Sequence, residues 1–548
     1  MIFHETAGRV SFFSCVTASA LICGVLADSS RIVTTSYGKV LGTSSEYVNG
    51  INVYKGMPHA ASPTGWRRFR APEKPDSWQG VRNASVFGPQ CPQPNMGASI
   101  FTTGNNEMSE DCLSVNVWTP ANAAAGDDLP VYVWIYGGRF YMGSGDVVTY
   151  DGASLASKGM VVVTLNYRLG VLGFMAHPDL SAESPHNSSG NYGVLDMISA
   201  LEWVHEEIRQ FGGNPDHITV GGQSAGSSGA LDMMYSPLTA GLGVVGVIAE
   251  TGARGVRDPM MGGASTSYRQ KENAENFGKI FLQDLNLTSI EELRQLNYTD
   301  LTEYGFDNGI WYESTPYVNI SAFMEPPEWR PVHDGYVLPL GYGESLCENA
   351  HHDVPILTGN NKDESGAEET QDYTLAEYKT DFTNMFGKLA THFFDLYPAT
   401  NVTEANDMVN ECYRDLSRTG TWDWALDWAK GGAQSDVYTY YWTRAPPNGN
   451  GGAYHGSELY YAFHTIPYAD TTANWTTTDY AIADVMQNYW VNFIKTGDPN
   501  GPGLPQWPPS QTNATTMWLG DFWGVGRVAE TDARIDLIRD WFSQNVEW

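Results

Sequence analysis

The sequence predicts an α/β fold: a mostly parallel central sheet flanked by helices, with large insertions over one end. Three observations predict it. Short apolar strand-like runs recur along the chain, segments of helical period lie between them, and a glycine-bracketed serine, Gly222-Gln223-Ser224-Ala225-Gly226, stands where a strand gives way to a helix. Strands that alternate with helices pack as a parallel sheet covered on both faces.

The strand-like runs are Val131 to Tyr136, Val161 to Leu165, Ile218 to Val220, Val244 to Ala249, Val354 to Leu357 and Val437 to Trp442, rich in the β-branched and aromatic residues that suit a buried strand. Between the second and third lies VLDMISALEWVHEEIRQF. Its Ile198, Leu201, Trp203, Val204 and Ile208 repeat at helical spacing, and Gly212-Gly213 stops it. No internal repeat, heptad run or low-complexity linker interrupts the 548 residues. One large domain over 28–548 is the simplest organisation, with the Trp- and Tyr-rich stretch from Leu301 to Pro331 as an insertion.

The first 27 residues read as a signal peptide: Arg9 in a short polar lead, an apolar run from Val10 to Leu26, and small or apolar residues at Val25-Leu26-Ala27. The run is short for a membrane span, so no stable membrane anchor is expected. Its removal takes away Glu5 and Arg9, one charge of each sign, and leaves the net charge at −32, which argues against nucleic acid or an anionic membrane as partner. Secretion to the extracellular space is the expected fate. Eight Asn-x-Ser/Thr acceptors, Asn83, Asn187, Asn286, Asn297, Asn319, Asn401, Asn474 and Asn513, agree with it.

Of six cysteines, Cys15 and Cys23 fall in the leader, and the remaining Cys91, Cys112, Cys347 and Cys412 allow three pairings. Proximity in sequence favours Cys91 with Cys112, which leaves Cys347 with Cys412. None of the spacings resembles a zinc ligand set, and the adjacent His351 and His352 point different ways and read as a solvated loop. Neither metal nor cofactor is expected.

His217-Ile218-Thr219-Val220 before the serine and a helix-compatible run from Ala225 fit a sharp strand-to-helix turn, where glycines avoid the clash of a Cβ and hold the serine Oγ clear of the sheet. A serine on such a turn needs an imidazole to take its proton and a carboxylate to fix the imidazole tautomer. In this class of sheet the chain order is serine, acid, histidine, each on a loop leaving the same edge. After the run Val354 to Leu357 comes GNNKDESG with Glu364; after Val437 to Trp442 comes GGAYHGSEL with His455. Each residue taken singly has an ordinary surface reading; in this order at strand ends they read as a triad. The run VYVWIY enters Gly137-Gly138-Arg139-Phe140, a turn whose backbone N–H groups, with that of Ala225, suit a developing oxyanion.

At this point the chain resembles the type B carboxylesterase/lipase family, which holds carboxylesterases, cholinesterases, fungal lipases and the non-catalytic neuroligins. The resemblance rests on YKGMPHA, RFRAPEKPDSW, SEDCLSVNVW, VYVWIYGGRF, LNYRLGVLGF, the segment from GNYGVLDM through VGGQSAG, GNNKDESG, HGSELYYAF and NFIKTGDPNG, and spans nearly the whole chain after the leader. It implies an α/β-hydrolase fold, a secreted fungal-type member, Ser224 as nucleophile, Glu364 as acid, His455 as base, an oxyanion hole at Gly138, Arg139 and Ala225, and Cys91–Cys112 closing a loop over the entrance of a deep site. Three departures stand out. Arg139 occupies the place of a usual glycine, Gln223 stands where cholinesterases carry Glu, and the loop from Cys91 to Cys112 holds Phe101 but no Trp to bind a quaternary ammonium. A choline ester is therefore not the expected substrate.

The implied function is hydrolysis of a small-molecule or lipid ester. An acyltransferase or lactone-forming enzyme would use the same triad. A neuroligin-like binding protein would lack the nucleophile and carry a membrane anchor, and neither sign is in the sequence.

Overall fold

A computed structural model describes residues 31–103, 107–260, 268–302, 312–318, 320–449 and 451–547. The expected signal peptide and Asn319 lie outside the described residues.

Among the described residues an eleven-stranded sheet organises the chain. Its strands are β1 (Thr43–Ser44), β2 (Ile51–Pro58), β3 (Ser114–Pro120), β4 (Leu129–Ile135), β5 (Val161–Leu165), β6 (Gly213–Gln223), β7 (Val244–Glu250), β8 (Ile356–Asn361), β9 (Val437–Trp442), β10 (Thr515–Leu519) and β11 (Gly524–Arg527). Their spatial order is β11-β10-β9-β8-β7-β6-β4-β5-β3-β2-β1. The run from β10 through β5 is parallel throughout, and antiparallel strands close both ends. Every residue of β5, β8 and β9 is buried, as expected of parallel strands covered on both faces.

The fold is that of an α/β hydrolase, as the sequence predicts. Strand β9 has the predicted bounds, and β5 likewise. Strand β8 is displaced from the expected Val354 to Leu357 to Ile356–Asn361. Pro355 has no N–H to give to a ladder. Beyond Leu357, the polar Thr358, Asn360 and Asn361 remain buried, and at Gly359 an added Cβ would lie 2.4 Å from the ring of Tyr440 on β9. A strand carrying such residues has no apolar signature.

The predicted helix is α1 (Tyr192–Glu207), followed by a 3₁₀ turn over Ile208–Phe211 and a left-handed Gly212. Ile198, Leu201, Trp203, Val204 and Ile208 are all buried, so the period marks the packed face. Three further helices bear on the site: α2 (Ala225–Tyr235), α3 (Val402–Gly431) and α4 (Thr477–Thr496).

Cys91 and Cys112 are disulfide-bonded, with Cα atoms 5.0 Å apart. The pairing of Cys347 with Cys412 is not present: both are free thiols. Cys347 ends a short helix, Tyr342–Cys347, at the surface, whereas Cys412 is held inside α3 in a core cluster with Phe382, Phe393 and Leu416. His351 and His352 differ from the solvated loop expected of them. Both are half-buried, with the His351 ring stacked 4.1 Å from that of Trp428 and His352 Nε2 2.8 Å from Thr239 Oγ1. The seven described acceptor asparagines are exposed.

Candidate active site

Ser224 sits between β6 and α2 with φ 59° and ψ −126°, a backbone conformation that costs a non-glycine residue on the order of 1–3 kcal/mol. The surroundings leave no alternative. A Cβ on Gly222 would lie 2.2 Å from the carbonyl oxygen of Gly226, and one on Gly226 would lie 2.0 Å from that of Ile135 on β4. The Ser224 N–H donates to the Glu250 carbonyl at 2.9 Å, and the Ser224 carbonyl accepts from Ser227 N–H at 2.9 Å. Both sides of the turn are thereby tied, and Ser224 itself is half-buried.

Glu364 follows the end of β8, and His455 follows β9, on neighbouring parallel strands. His455 Nδ1 and Glu364 Oε2 are 2.8 Å apart. The other carboxylate oxygen of Glu364 accepts the Asn361 N–H at 2.7 Å. Asp363 is buried and joins the two loops: it accepts from Arg414 at 2.6 Å and from Ala453 N–H at 2.7 Å. Burial disfavours a charge on the His455 ring, but the hydrogen bond and charge of Glu364, helped by Glu458, outweigh it and raise its pKa above 6.5. The side-chain amide nitrogen of Gln223 lies 3.2 Å from His455 Nε2, and no hydrogen bond joins Nε2 to Ser224 Oγ among the described residues. Catalytic hydrogen bonds commonly tighten only once substrate is present.

The Gly137–Phe140 turn leaves β4 directly against the serine. A Cβ on Gly137 would meet the Gln223 carbonyl oxygen at 2.6 Å, the Phe101 ring at 2.8 Å and Ser224 Cβ at 3.0 Å. Backbone approach this close requires glycine, and it sets the N–H groups of the turn beside those at the start of α2, where the first-turn donors of a helix have no intrahelical acceptor. Gly138 has φ 109°, and Arg139 and Phe140 each have φ 57°. The Arg139 guanidinium donates to the Glu325 carbonyl at 2.7 Å, tying the turn to the segment between Leu301 and Pro331, and Tyr141 OH donates to the Thr302 carbonyl at 3.2 Å. The disulfide loop covers the other flank: Phe101 touches Gly137, and a Cβ on Gly456 would lie 2.3 Å from Ile100.

A sequence profile of the carboxylesterase family matches residues 29–521. The chain belongs to this family. It is 32% identical to the fumonisin B1 esterase of Sphingopyxis macrogoltabida over 95% of its own length and 92% of that protein's. It is 33% identical to the para-nitrobenzyl esterase of Bacillus subtilis strain 168, over 87% of this chain and 92% of that one. Among solved structures, a PNB esterase superposes with a TM-score of 0.74 at 31% identity, covering 93% of this chain and 99% of its own. This carboxylesterase is thus a carboxylic ester hydrolase of the α/β-hydrolase fold. Among the described residues no helix is long and apolar enough to cross a membrane.

The structure adds residues that sequence reasoning missed. Asn361 and Asp363 hold the acid and histidine loops, and Glu250, Glu458 and Tyr440 lie buried near them. GNNKDESG and HGSEL contain several of these, but nothing in a one-dimensional pattern tells a buried Asp363 from the half-buried Lys362 beside it.

Proposed function

We propose that this carboxylesterase works through an acyl-enzyme on Ser224, with His455 as general base and Glu364 as the acid that orients it. The reading is carried by one observation, a 2.8 Å His455–Glu364 hydrogen bond at adjacent strand ends beside a strained serine elbow. As Ser224 Oγ attacks the ester carbonyl carbon, its proton passes to His455 Nε2. The oxyanion is met by the N–H groups of Gly138, Arg139 and Ala225. Collapse expels the alcohol, which takes the proton from His455; water then repeats the sequence and frees the acid. Glu364 keeps the Nδ1 proton in place, and its charge stabilises the imidazolium.

The substrate is a small-molecule or lipid ester without a quaternary ammonium group. Support comes from Phe101 as the aromatic of the disulfide loop that touches the oxyanion turn, with no Trp in that loop. Secretion and glycosylation belong to the same proposal, supported by the apolar leader, the disulfide and the exposed acceptor asparagines.

The test is Ser224→Ala. It should fold as the parent does and lose about 10⁴- to 10⁶-fold in kcat on p-nitrophenyl esters. Turnover within tenfold of the parent would reject Ser224 as nucleophile.

A further inference from the structure

One row of residues runs across the carboxyl edge of the sheet immediately behind His455. Gln223 ends β6, Glu250 ends β7, and the two are in register; Glu250 is in register with Gly359 of β8, and Gly359 with Tyr440 of β9. Register partners on neighbouring strands place their side chains on the same face. Gly359 contributes no side chain, and the Tyr440 ring fills the space a Cβ would need. On this face Trp490 of α4 donates to Glu250 Oε1 at 2.9 Å. Glu458, three residues beyond His455, accepts from the side-chain amide of Asn361, the residue whose N–H holds Glu364 at 2.7 Å.

Glu250 and Glu458 are both wholly buried. Each keeps one carboxyl oxygen without a hydrogen-bond partner, Glu250 Oε2 and Glu458 Oε1, and Gln223 Oε1 nearby is equally unpartnered. The groups that face the pair are Trp490, Asn361, Tyr132, Tyr440, Glu364 and His455, with no Lys or Arg among them. Two buried carboxylates without a cation each carry a large desolvation penalty, and an unpartnered buried oxygen adds to it. One proton held by the pair leaves a single charge, rather than two, in this buried and cation-free space.

We propose that Glu250 and Glu458 share one proton, so that the pair carries a single negative charge behind His455 and acts as a positioning device for the imidazolium formed during acylation. Burial pushes both carboxyls up, Glu458 to about 7, and the charge of Glu458 adds to the rise at Glu250. The charged groups that face His455 are Glu364, Glu458 and Arg139. The neutral Gln223 fits the same account, because a carboxylate there would add a further charge beside a base that must release its proton to the leaving alcohol. The inference rests on His455 serving as the base.

The test compares the acid limb of the kcat/KM profile, which reports the base of the free enzyme. Glu250→Gln, with Glu250→Leu as a second replacement of different polarity, leaves the charge on Glu458, so the limb should stay within about 0.3 of a pH unit of the parent. The double variant Glu250→Gln/Glu458→Gln removes the charge and should move the limb down by about one unit. Difference infrared spectra between parent and Glu250→Gln at neutral pH should show the loss of one protonated carboxyl band. A single variant that shifts the limb as far as the double, a double variant that shifts nothing, or an unchanged carboxyl band would each overturn the proposal. The infrared result does not depend on turnover, so it stands apart from a failure of the Ser224 assignment, which would show as activity surviving Ser224→Ala.

Discussion

Replacing Glu364 by Gln should cost far more than the loss of one charge suggests. The carboxylate of Glu364 has two distinct jobs: Oε1 accepts the Asn361 N–H at 2.7 Å and Oε2 faces His455 Nδ1 at 2.8 Å. A glutamine in the same rotamer can keep the Asn361 bond only by placing its carbonyl oxygen there, which turns its NH₂ toward Nδ1. The amide then donates to Nδ1 and drives the ring proton onto Nε2, where it blocks acceptance of the Ser224 proton. A wrong tautomer of this kind lowers turnover by about 10⁴-fold, or about 5 kcal/mol in the barrier. Removing one unit charge beside the imidazole accounts for only about 1 to 3 pKa units by itself. The assay is kcat on p-nitrophenyl acetate and butyrate for the parent, Glu364→Gln and Glu364→Ala, with thermal unfolding as the folding control. Glu364→Ala removes the misplaced donor, so it should retain more activity than Glu364→Gln. If Glu364→Gln stays within about tenfold of the parent, or exceeds the alanine variant, the tautomer argument is wrong.

The acid limb of the parent kcat/KM profile should lie above pH 6.5, because the partnered His455 holds its proton more tightly than a free imidazole and is inactive while protonated; a limb at or below that value contradicts the Glu364 contact. Arg139→Gly should change hydrolysis of anionic and neutral esters equally, since its guanidinium is spent on the Glu325 carbonyl and its φ of 57° suits glycine. A selective loss of about tenfold or more on anionic esters would instead place the side chain in substrate recognition. With residues 1–27 removed, a thiol reagent should label Cys347 in the native protein and Cys412 only after unfolding; failure to label Cys347 natively would contradict its exposure.

What was legible in the sequence followed from periods and spacing. Val161 to Leu165 and Val437 to Trp442 are runs of apolar, aromatic and β-branched residues because both of their faces are covered, and their limits coincide with β5 and β9. The chain order of Ser224, Glu364 and His455 was readable because each stands on a segment that leaves a strand at one edge of a parallel sheet. Helix α3 was not readable. Its 30 residues bury Leu416, Trp424 and Trp428 beside Asp415, Arg418 and Thr419, so no single apolar stripe exists. The Asp363–Arg414 pair spans 51 positions, and a contact of that separation leaves no trace in a local pattern. Pairing by elimination failed at Cys347 and Cys412 because it assumed that every thiol in an oxidising compartment is bonded. Cys412 is instead buried in the cluster with Phe382, Phe393 and Leu416, while Cys347 is exposed.

The contacts of Gly137, Gly222 and Gly226 bear on how this enzyme can be re-engineered. Each glycine abuts backbone atoms, which cannot swing aside as a side chain can, so the Gly137–Phe140 turn, the end of β4 and the turn at Ser224 form one rigid block. Libraries that randomise these three positions should yield almost no active clones, whatever the screening substrate. Substitutions that reshape the surroundings of the serine are better placed at side chains that border the block, namely Phe101 on the disulfide loop and Arg139 with its Glu325 tether. Selectivity in this enzyme is therefore adjustable from the rim inward, while the geometry of attack stays fixed.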